Sequence, residues 1–591
     1  MIQRAAAVAL LLLAWAAPAH AAGPPIMPLD QVRAGIDCTA ASVVRGTDIS
    51  TFAAHVDDVL GSSDIRQARI LVTVSGAAID ATGVGPGFSG SPVSCPGPDG
   101  APLIVGAISE TIGAYGGKTV LVTPIQAILG ESVDPPQAAT HAPRRTRALL
   151  RAARPIAEPL SISGLSPAVG AGVVRAARLA GRAVISAPAR PRQAAGAPAP
   201  LQPGSAMAVG LSSGDVQEGA IGTVAYVDGD TVWAFGHPLD GAGRRELFLS
   251  DAYVYDVVNN PLGTQDAATY KLASPTTDVG TLRQDGISAV VGRLGALPRR
   301  FPATFATRDL DTGRTGALHV QVADERAVGL PTGTSALSTV APTAVAQAIY
   351  NALDGSPVNQ TDQLCLRISV RQARRPLAFC NRYAGAGGGA DALLGGPLVA
   401  DVVAATQLID AYGATNLDIT GVNADVRVQR GLQLASLASL RGPVSARRGS
   451  DVSVGARLIR PGGATLTRTI RVHVPEGMPT GARDLLLKGT SADQTSGSGS
   501  DSSTTIDLSN LFAGSPGEGS DGPTSVRELG LAMSAIHRYD GVTTRFLPPG
   551  ADPQTELPGG AEGVAQRSRE TYRDAQLRIA GSARLRITIR R

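Results

Sequence analysis

The chain has 591 residues, of which 43% are hydrophobic and 17% are charged, so it can bury more than one hydrophobic core. Its 70 glycines, 41 prolines and 4% aromatic residues favour short strands and many turns over long helices. The net charge of +4 is small for this length, and no Lys/Arg run is interleaved with aromatic residues, which argues against nucleic acid as a partner.

The first 21 residues have the pattern of a secretory signal peptide. A positively charged start precedes the apolar run Ala5–Ala17, and the small residues Ala19 and Ala21 fit a cleavage site after Ala21. The run is shorter than the roughly 20 residues that span a bilayer, and the later apolar stretch Leu393–Tyr412 is interrupted by two aspartates. The sequence therefore predicts a secreted or extracytoplasmic protein with no transmembrane segment after signal removal.

Strand-like runs separated by turns dominate the rest of the chain and divide it into segments. In chain order these are a strand-rich block (24–133), an Ala/Pro/Arg-rich linker with one helix near Val173–Leu179 (134–200), a second strand-rich block that closes with a helix over Val340–Leu353 (201–355), a β-sandwich (356–490), a disordered Gly/Ser/Asp linker (491–525), and a segment with a helix over Val526–Tyr539 and a last strand that returns to the sandwich (526–591).

Four cysteines remain after signal removal, and an even number in an oxidising compartment predicts two disulfides. Cys365 and Cys380 lie in adjacent strand-like segments and could close one hairpin. By elimination, Cys38 would pair with Cys95. A zinc site is the weaker interpretation, because no two cysteines have ligand spacing and no histidine clusters with them, so no metal is predicted.

The stretch GPGFSGSP, residues 85–92, places Ser89 between two glycines. A serine hydroxyl is a poor nucleophile until a base takes its proton, and its turn must aim backbone N–H groups at the oxyanion that forms. Gly87 can adopt the positive φ that this requires, and Gly90 keeps the approach open. Ser89 is thus a candidate nucleophile with the N–H groups of Gly87 and Ser89 as the oxyanion hole, whereas Ser91 is less suited because a proline follows it. A glycine-rich turn without chemistry would have the same local sequence.

The second motif, FGHPL, places His237 at the end of a strand-like segment. The preceding sequence, AIGTVAYVDGDTVWAFGH, is typical of a hairpin that turns at Asp228 and Gly229. A lone histidine is more often a surface or packing residue than a base. Pairing of Ser89 with His237 therefore requires that the two strand-rich blocks pack against each other.

The stretches GFSGSPV, LIVGAISE and TPIQAIL resemble the serine half of the SpoIVB-type peptidase family, a trypsin-like serine peptidase group. PGSAMAVGLSSGDVQEGAIGTVAYVDGDTVWAFGHPL resembles the histidine half of that family. The two matches lie roughly within residues 30–130 and 200–300. The resemblance implies a mainly β protein, a trypsin-like double β-barrel with Ser89 and His237 facing each other across a cleft, followed here by the C-terminal Ig-like sandwich.

The chain departs from the family pattern in two ways. The serine half precedes the histidine half, an order that a site assembled by geometry tolerates. The family's acid is expected in the segment LVTVSG, where Ser75 stands. Asp80 and Asp285 are the candidate substitutes, and Asp285, in TLRQDG, is preferred. Loss of the orienting acid can lower the rate by up to about 10⁴.

Three functions follow as hypotheses. In the first, the protein is an exported serine endopeptidase that hydrolyses a protein or peptide substrate through Ser89 and His237, without a metal or organic cofactor. In the alternative, the double barrel is catalytically silent and acts as a binding or scaffold module, which Ser75 at the acid position supports. In the first hypothesis the C-terminal sandwich is expected to bind substrate, a protein partner or the cell envelope. The third hypothesis is a purely structural envelope protein, for which Ser89→Ala would leave every phenotype intact.

Overall fold

A computed structural model gives the structure of the chain, and strands predominate over helices in it, as the composition predicts. The predicted signal peptide and nearly all of the 491–525 linker lie outside the residues described. The described residues are 23–112, 117–133, 154–155, 159–189, 199–259, 269–327, 334–353, 359–386, 389–412, 417–489, 522–536, 538–551 and 569–591.

The first sheet forms a closed barrel. The pairing order is β4-β1-β2-β3-β6-β5, and β5 pairs back with β4, while β7 adds to β5 outside the ring. β1 and β4 are neighbours, and the predicted Cys38–Cys95 disulfide, which joins them, is confirmed. The strands are β1 (Asp37–Arg45), β2 (Asp48–Leu60), β3 (Arg69–Ser75), β4 (Pro92–Pro96), β5 (Pro102–Ile112), β6 (Thr119–Pro124) and β7 (Arg154–Pro155), and helix α1 (Ile125–Leu129) follows β6.

The second sheet closes in the same way, through the ring β10-β14-β15-β16-β13-β12 and back to β10. The hairpin turn predicted at Asp228 and Gly229 is confirmed, with Gly229 at a φ of +57° between β12 and β13. The strands of this part of the chain are β8 (Leu160–Ser163), β9 (Val184–Ala187), β10 (Ala206–Gly210), β11 (Ser212–Gly214), β12 (Gln217–Asp228), β13 (Thr231–Ala234), β14 (Gly243–Val258), β15 (Tyr270–Asp285) and β16 (Val290–Leu294).

Part of the expected linker 134–200 belongs to this second sheet. β8 pairs with β12, β9 lies parallel to β8, and helix α2 (Pro167–Leu179) connects them. The helix begins where a capping serine precedes a proline, since the Ser166 side chain accepts a hydrogen bond from the Val169 N–H. The described middle of the linker is therefore a β-α-β unit.

The second strand-rich block was expected to run to residue 355, but its barrel ends at Leu294. The chain after it forms a third sheet, with the order β11-β18-β17-β21-β19-β20, covered by helices that share one hydrophobic core with it. Cys365 and Cys380 lie directly opposite each other on β19 and β20, and their predicted disulfide is confirmed. The elements are β17 (Arg300–Asp309), β18 (Thr315–Ala323), α3 (Ala336–Leu353), β19 (Asn359–Val370), β20 (Leu377–Ala386), α4 (Ala390–Leu394), α5 (Pro397–Asp410) and β21 (Ile419–Arg430).

The predicted sandwich begins at Leu434 rather than at residue 356. Two sheets, β25-β24-β22-β29 and β23-β30-β26-β27-β28, enclose one hydrophobic core. The last strand returns to this unit as predicted, whereas helix α6 (Val526–Ser534) is shorter than expected and packs on the third unit's core through Leu529 and Met533. The strands are β22 (Leu434–Arg441), β23 (Ser445–Arg447), β24 (Asp451–Ile459), β25 (Thr465–His473), β26 (Gly481–Gly489), β27 (Gly541–Leu547), β28 (Arg569–Arg573), β29 (Arg578–Ala580) and β30 (Ser582–Arg590).

Within the described residues, one helical segment, Ala390–Asp410, is long and apolar enough to cross a membrane. Half of it is buried inside the protein. The carboxylate of Asp401, on this segment, accepts hydrogen bonds from the Asn381 amide at 2.9 Å and from the Tyr383 hydroxyl at 2.5 Å. Because a core helix passes the same test of length and composition, the expectation that no such segment spans a membrane stays a prediction.

Glu218 on β12 is a fully buried carboxyl group at the contact between the second barrel and the third unit. Its Oε1 accepts a hydrogen bond from the Thr343 hydroxyl of α3 at 2.5 Å. Burial raises the pKa of Glu218 from 4.5 to about 7, although this hydrogen bond acts in the opposite direction. The carboxyl group therefore keeps its proton in the folded protein at pH values where the unfolded chain has lost it.

We expect the Glu218→Gln variant to be less sensitive to alkaline pH than the wild type. The folded-state pKa lies above the unfolded value, so this group's contribution is fully present below about pH 4.5 and is lost as pH rises through about 7, a change of about 3 kcal/mol. Calorimetric melting at pH 5 and pH 8 should show a smaller fall in Tm for the variant. The exposed Glu476→Gln is the control, and an equal fall in Glu218→Gln and the wild type would contradict the assignment.

Candidate functional site

Ser89 lies in a tight turn between β3 and β4 and is completely buried. Gly87 and Gly90 both have a φ of +92°, so the positive φ predicted for Gly87 is confirmed. The turn approaches the second barrel so closely that a Cβ on Gly90 would lie 1.9 Å from the Thr223 carbonyl oxygen of β12. Only glycine satisfies both the dihedral angle and this approach.

His237 follows β13 and is 4% exposed. Two residues before it, Phe235 has a φ of +67° and is the only non-glycine residue with positive φ in the described part of the chain. A bulky residue in this region is strained, and such strain is concentrated at functional sites. The sharp turn that starts at Phe235 carries the imidazole out of the strand direction.

The orientation of the His237 ring follows from its Nδ1 atom, which lies 2.7 Å from the Pro238 carbonyl oxygen. A carbonyl oxygen can only accept, so Nδ1 carries the hydrogen and donates it. In the neutral ring Nε2 is then the acceptor, which is the tautomer that a general base requires.

The two predicted motifs meet at the contact between the barrels. The Thr223 N–H donates to the Ser89 carbonyl at 2.8 Å, and the Thr223 carbonyl accepts from the Phe235 N–H at 3.3 Å. The Thr123 hydroxyl, on β6 of the first barrel, donates to the Gly236 carbonyl at 2.7 Å. The second barrel thus holds the turn with Ser89, and the first barrel holds the segment that leads to His237.

A further contact joins the same two segments through β5. The Gly90 N–H donates to the Ile108 carbonyl at 2.8 Å, and a Cβ on Gly236 would lie 3.3 Å from that carbonyl oxygen. The two strand-rich blocks therefore pack against each other at these motifs, which is the condition that the sequence set for a shared site.

Asp285 is brought to this region, but its contacts differ from those of the predicted acid. Its carboxylate accepts hydrogen bonds from the N–H groups of Leu239, Asp240 and Ala242 at 2.7, 2.8 and 3.1 Å. Arg245 lies 3.7 Å from the same carboxylate. Asp285 therefore fixes the loop that follows His237, while the His237 ring itself donates its hydrogen bond to the Pro238 carbonyl.

Asp80, the other candidate acid, and Ser75, at the position where the family's acid is expected, make their contacts elsewhere. Asp80 is half exposed and forms a salt bridge with Lys118 at 3.0 Å. Ser75 ends β3 and pairs with Ala53 of β2. The hydrogen bond that Nδ1 of His237 donates to the Pro238 carbonyl takes the place of the bond to the acid in a complete triad.

Lys271 is the member of this site that the sequence reasoning missed. The side chain is 2% exposed, and its Nζ lies 2.7 Å from the Ser42 Oγ, 3.0 Å from the Thr223 Oγ1 and 4.4 Å from the centre of the Phe88 ring. The chain has only three lysines among its many arginines. That rarity is a signal in the sequence, because Arg and Lys are not interchangeable in a buried site.

The described residues contain no group of three or more His, Cys, Asp or Glu side chains that could hold a metal ion. A scan against models of protein families finds no match for this chain, and neither a search of curated proteins nor a search of solved structures finds one.

Proposed function

We propose that the protein is an exported serine endopeptidase of the SpoIVB type, with a trypsin-like double barrel and an Ig-like C-terminal sandwich. The observation that carries this proposal is the meeting of the Ser89 turn and the His237 segment at the contact between two closed barrels. Two disulfides are typical of proteins from oxidising compartments and support export. The signal peptide, a protein or peptide substrate, and a cell-envelope partner for the sandwich belong to the same proposal.

In the proposed reaction, the Nε2 atom of His237 takes the proton of the Ser89 hydroxyl while Oγ bonds to the carbonyl carbon of the substrate. The N–H groups of Gly87 and Ser89 stabilise the oxyanion. His237 then gives the proton to the departing amine as the C–N bond breaks. Water, deprotonated by the same imidazole, then bonds to the acyl carbon, the bond from that carbon to Oγ breaks, and His237 returns the proton to Ser89.

The second candidate function is a catalytically silent binding or scaffold module. Its support is the burial of Ser89 and His237, because a substrate reaches buried groups only after local opening. The carbonyl partner of Nδ1 also favours it, since a carbonyl stabilises an imidazolium less than a carboxylate does.

A fluorophosphonate probe tests the choice between the two functions. We expect covalent labelling of the secreted wild type, with the added mass on the peptide that contains Ser89, and none in Ser89→Ala. The exposed Ser63→Ala is the control and should be labelled at Ser89 like the wild type. Well-folded wild type that takes up no probe would instead favour the scaffold.

A further inference from the structure

Four buried polar side chains surround the main chain of the Ser89 turn, and they come from both barrels. We call them the hydroxyl–lysine cluster. Ser91 lies 2.8 Å from Ser42, and Lys271 bonds both Ser42 and Thr223. The members are Ser42, Ser91, Thr223 and Lys271.

The directions of these hydrogen bonds are fixed by two carbonyl groups. The Ser91 hydroxyl donates a hydrogen bond to the Phe88 carbonyl at 2.6 Å, and the Thr223 hydroxyl donates one to the Gly87 carbonyl at 2.9 Å. The Ser91 hydroxyl also lies within donating distance of the Ser42 Oγ, at 2.8 Å. The Nζ group of Lys271 donates hydrogen bonds to both Ser42 and Thr223. One lysine is therefore connected to both hydroxyls that contact the turn, directly to Thr223 and through Ser42 to Ser91.

Three successive carbonyls of the turn are held by this arrangement. The main-chain N–H of Lys271 donates to the Pro86 carbonyl at 2.9 Å. Thr223 holds the Gly87 carbonyl, and Ser91 holds the Phe88 carbonyl through its hydroxyl and its N–H. The peptide bonds are trans, so each N–H points away from the carbonyl of its own peptide unit.

We propose that Lys271 is a positioning residue for the oxyanion hole of the proposed peptidase, acting through Thr223, Ser42 and Ser91. The cluster holds the Gly87 and Phe88 carbonyls through Thr223 and Ser91, and the Phe88 carbonyl shares its peptide unit with the Ser89 N–H. The Gly87 carbonyl belongs to the peptide unit between the two oxyanion-hole N–H groups, so its position sets how the Gly87 and Ser89 N–H groups face each other. The inference rests on the proposed function. It assigns a role in catalysis to a residue that need not touch the substrate.

The decisive test compares Thr223→Val with Thr223→Ser. Valine keeps the shape of threonine but removes the hydroxyl that donates to the Gly87 carbonyl, whereas serine keeps it. We expect fluorophosphonate labelling of Thr223→Val to be slower by about 10²-fold, as for the loss of an oxyanion donor, and of Thr223→Ser to stay within about threefold of wild type. The pH midpoint of the labelling rate should not move in either variant, because His237 is unchanged.

Lys271→Met provides the second comparison, with the half-exposed Lys118→Met as its control. We expect Lys271→Met to label at least about 10²-fold more slowly and Lys118→Met to label normally. If Lys271→Met does not fold, the Thr223 pair decides alone. If Thr223→Val or Lys271→Met folds and is labelled at the wild-type rate, the inference is overturned but the proposed peptidase function is not. Wild type without labelling would overturn both.

Discussion

His237→Ala should lower the rate of fluorophosphonate labelling by about 10³-fold while the protein stays folded. General base catalysis by a positioned histidine contributes roughly 10²–10⁴ in rate, and the bond from Nδ1 to the Pro238 carbonyl presents Nε2 for this role. The main-chain contacts at Phe235 and Gly236 do not involve the ring, so the variant should fold, with the lower Tm expected when a buried side chain is removed. The measurement is the second-order labelling rate, with Tm recorded in parallel.

His55→Ala is the control for this experiment. His55 is bonded to Asp37 at 2.7 Å on the outer side of β2 and is half exposed, so we expect its labelling rate to equal that of the wild type. Equal rates in His237→Ala and the wild type would remove the base from the proposal.

Asp285→Asn should destabilise the protein by about 3 kcal/mol and slow labelling by about 10- to 10²-fold. The Asp285 carboxylate accepts hydrogen bonds from three N–H groups and lies close to Arg245. The asparagine amide replaces one acceptor oxygen with a donor and removes the negative charge, so it cannot satisfy all of these groups. The loop that carries Pro238 and Leu239 is then held less tightly, and the imidazole loses part of its orientation. An acid of a complete triad would instead lose about 10⁴ in rate on the same substitution.

Asp278→Asn, on the same strand, is the matched control. Its carboxylate accepts a hydrogen bond from the Ser250 hydroxyl at 2.8 Å, and we expect its labelling rate to be unchanged. A 10⁴-fold loss in Asp285→Asn at full stability would restore Asp285 as the acid that polarises His237.

Local patterns predicted those parts of the fold that local chemistry decides. The turn at Asp228 and Gly229, the helix that ends at Leu353 and the last strand of the sandwich all follow from turn residues or from hydrophobic periodicity. The boundary at residue 355 was wrong because β17 and β18 alternate like barrel strands, while β21, the partner of β17, lies 119 residues further along the chain (Ala303 opposite Val422). Pairing at that separation leaves no local signal.

The candidate site likewise has features that local sequence predicts and features that depend on contacts between distant segments. Glycine turns identified Ser89 and His237 because each turn has a chemical reason within a few residues. The role of Asp285 depends on which N–H groups the loop after His237 presents, and the role of Lys271 depends on hydroxyls from strands far apart in the sequence. Such contacts exist only after the barrels close and pack together.

Each of the two motifs is held in place by hydrogen bonds from the other barrel. This arrangement has a consequence for the biosynthesis of the proposed peptidase. The N-terminal barrel carries the alcohol but depends on Thr223 to complete its turn, and Thr223 is synthesised long after Ser89 leaves the ribosome. A nascent chain halted before β12 would therefore hold a nucleophile with neither its base nor its full scaffold. Activity of the proposed peptidase would therefore arise only after the chain up to Leu294, which completes the second barrel, has emerged.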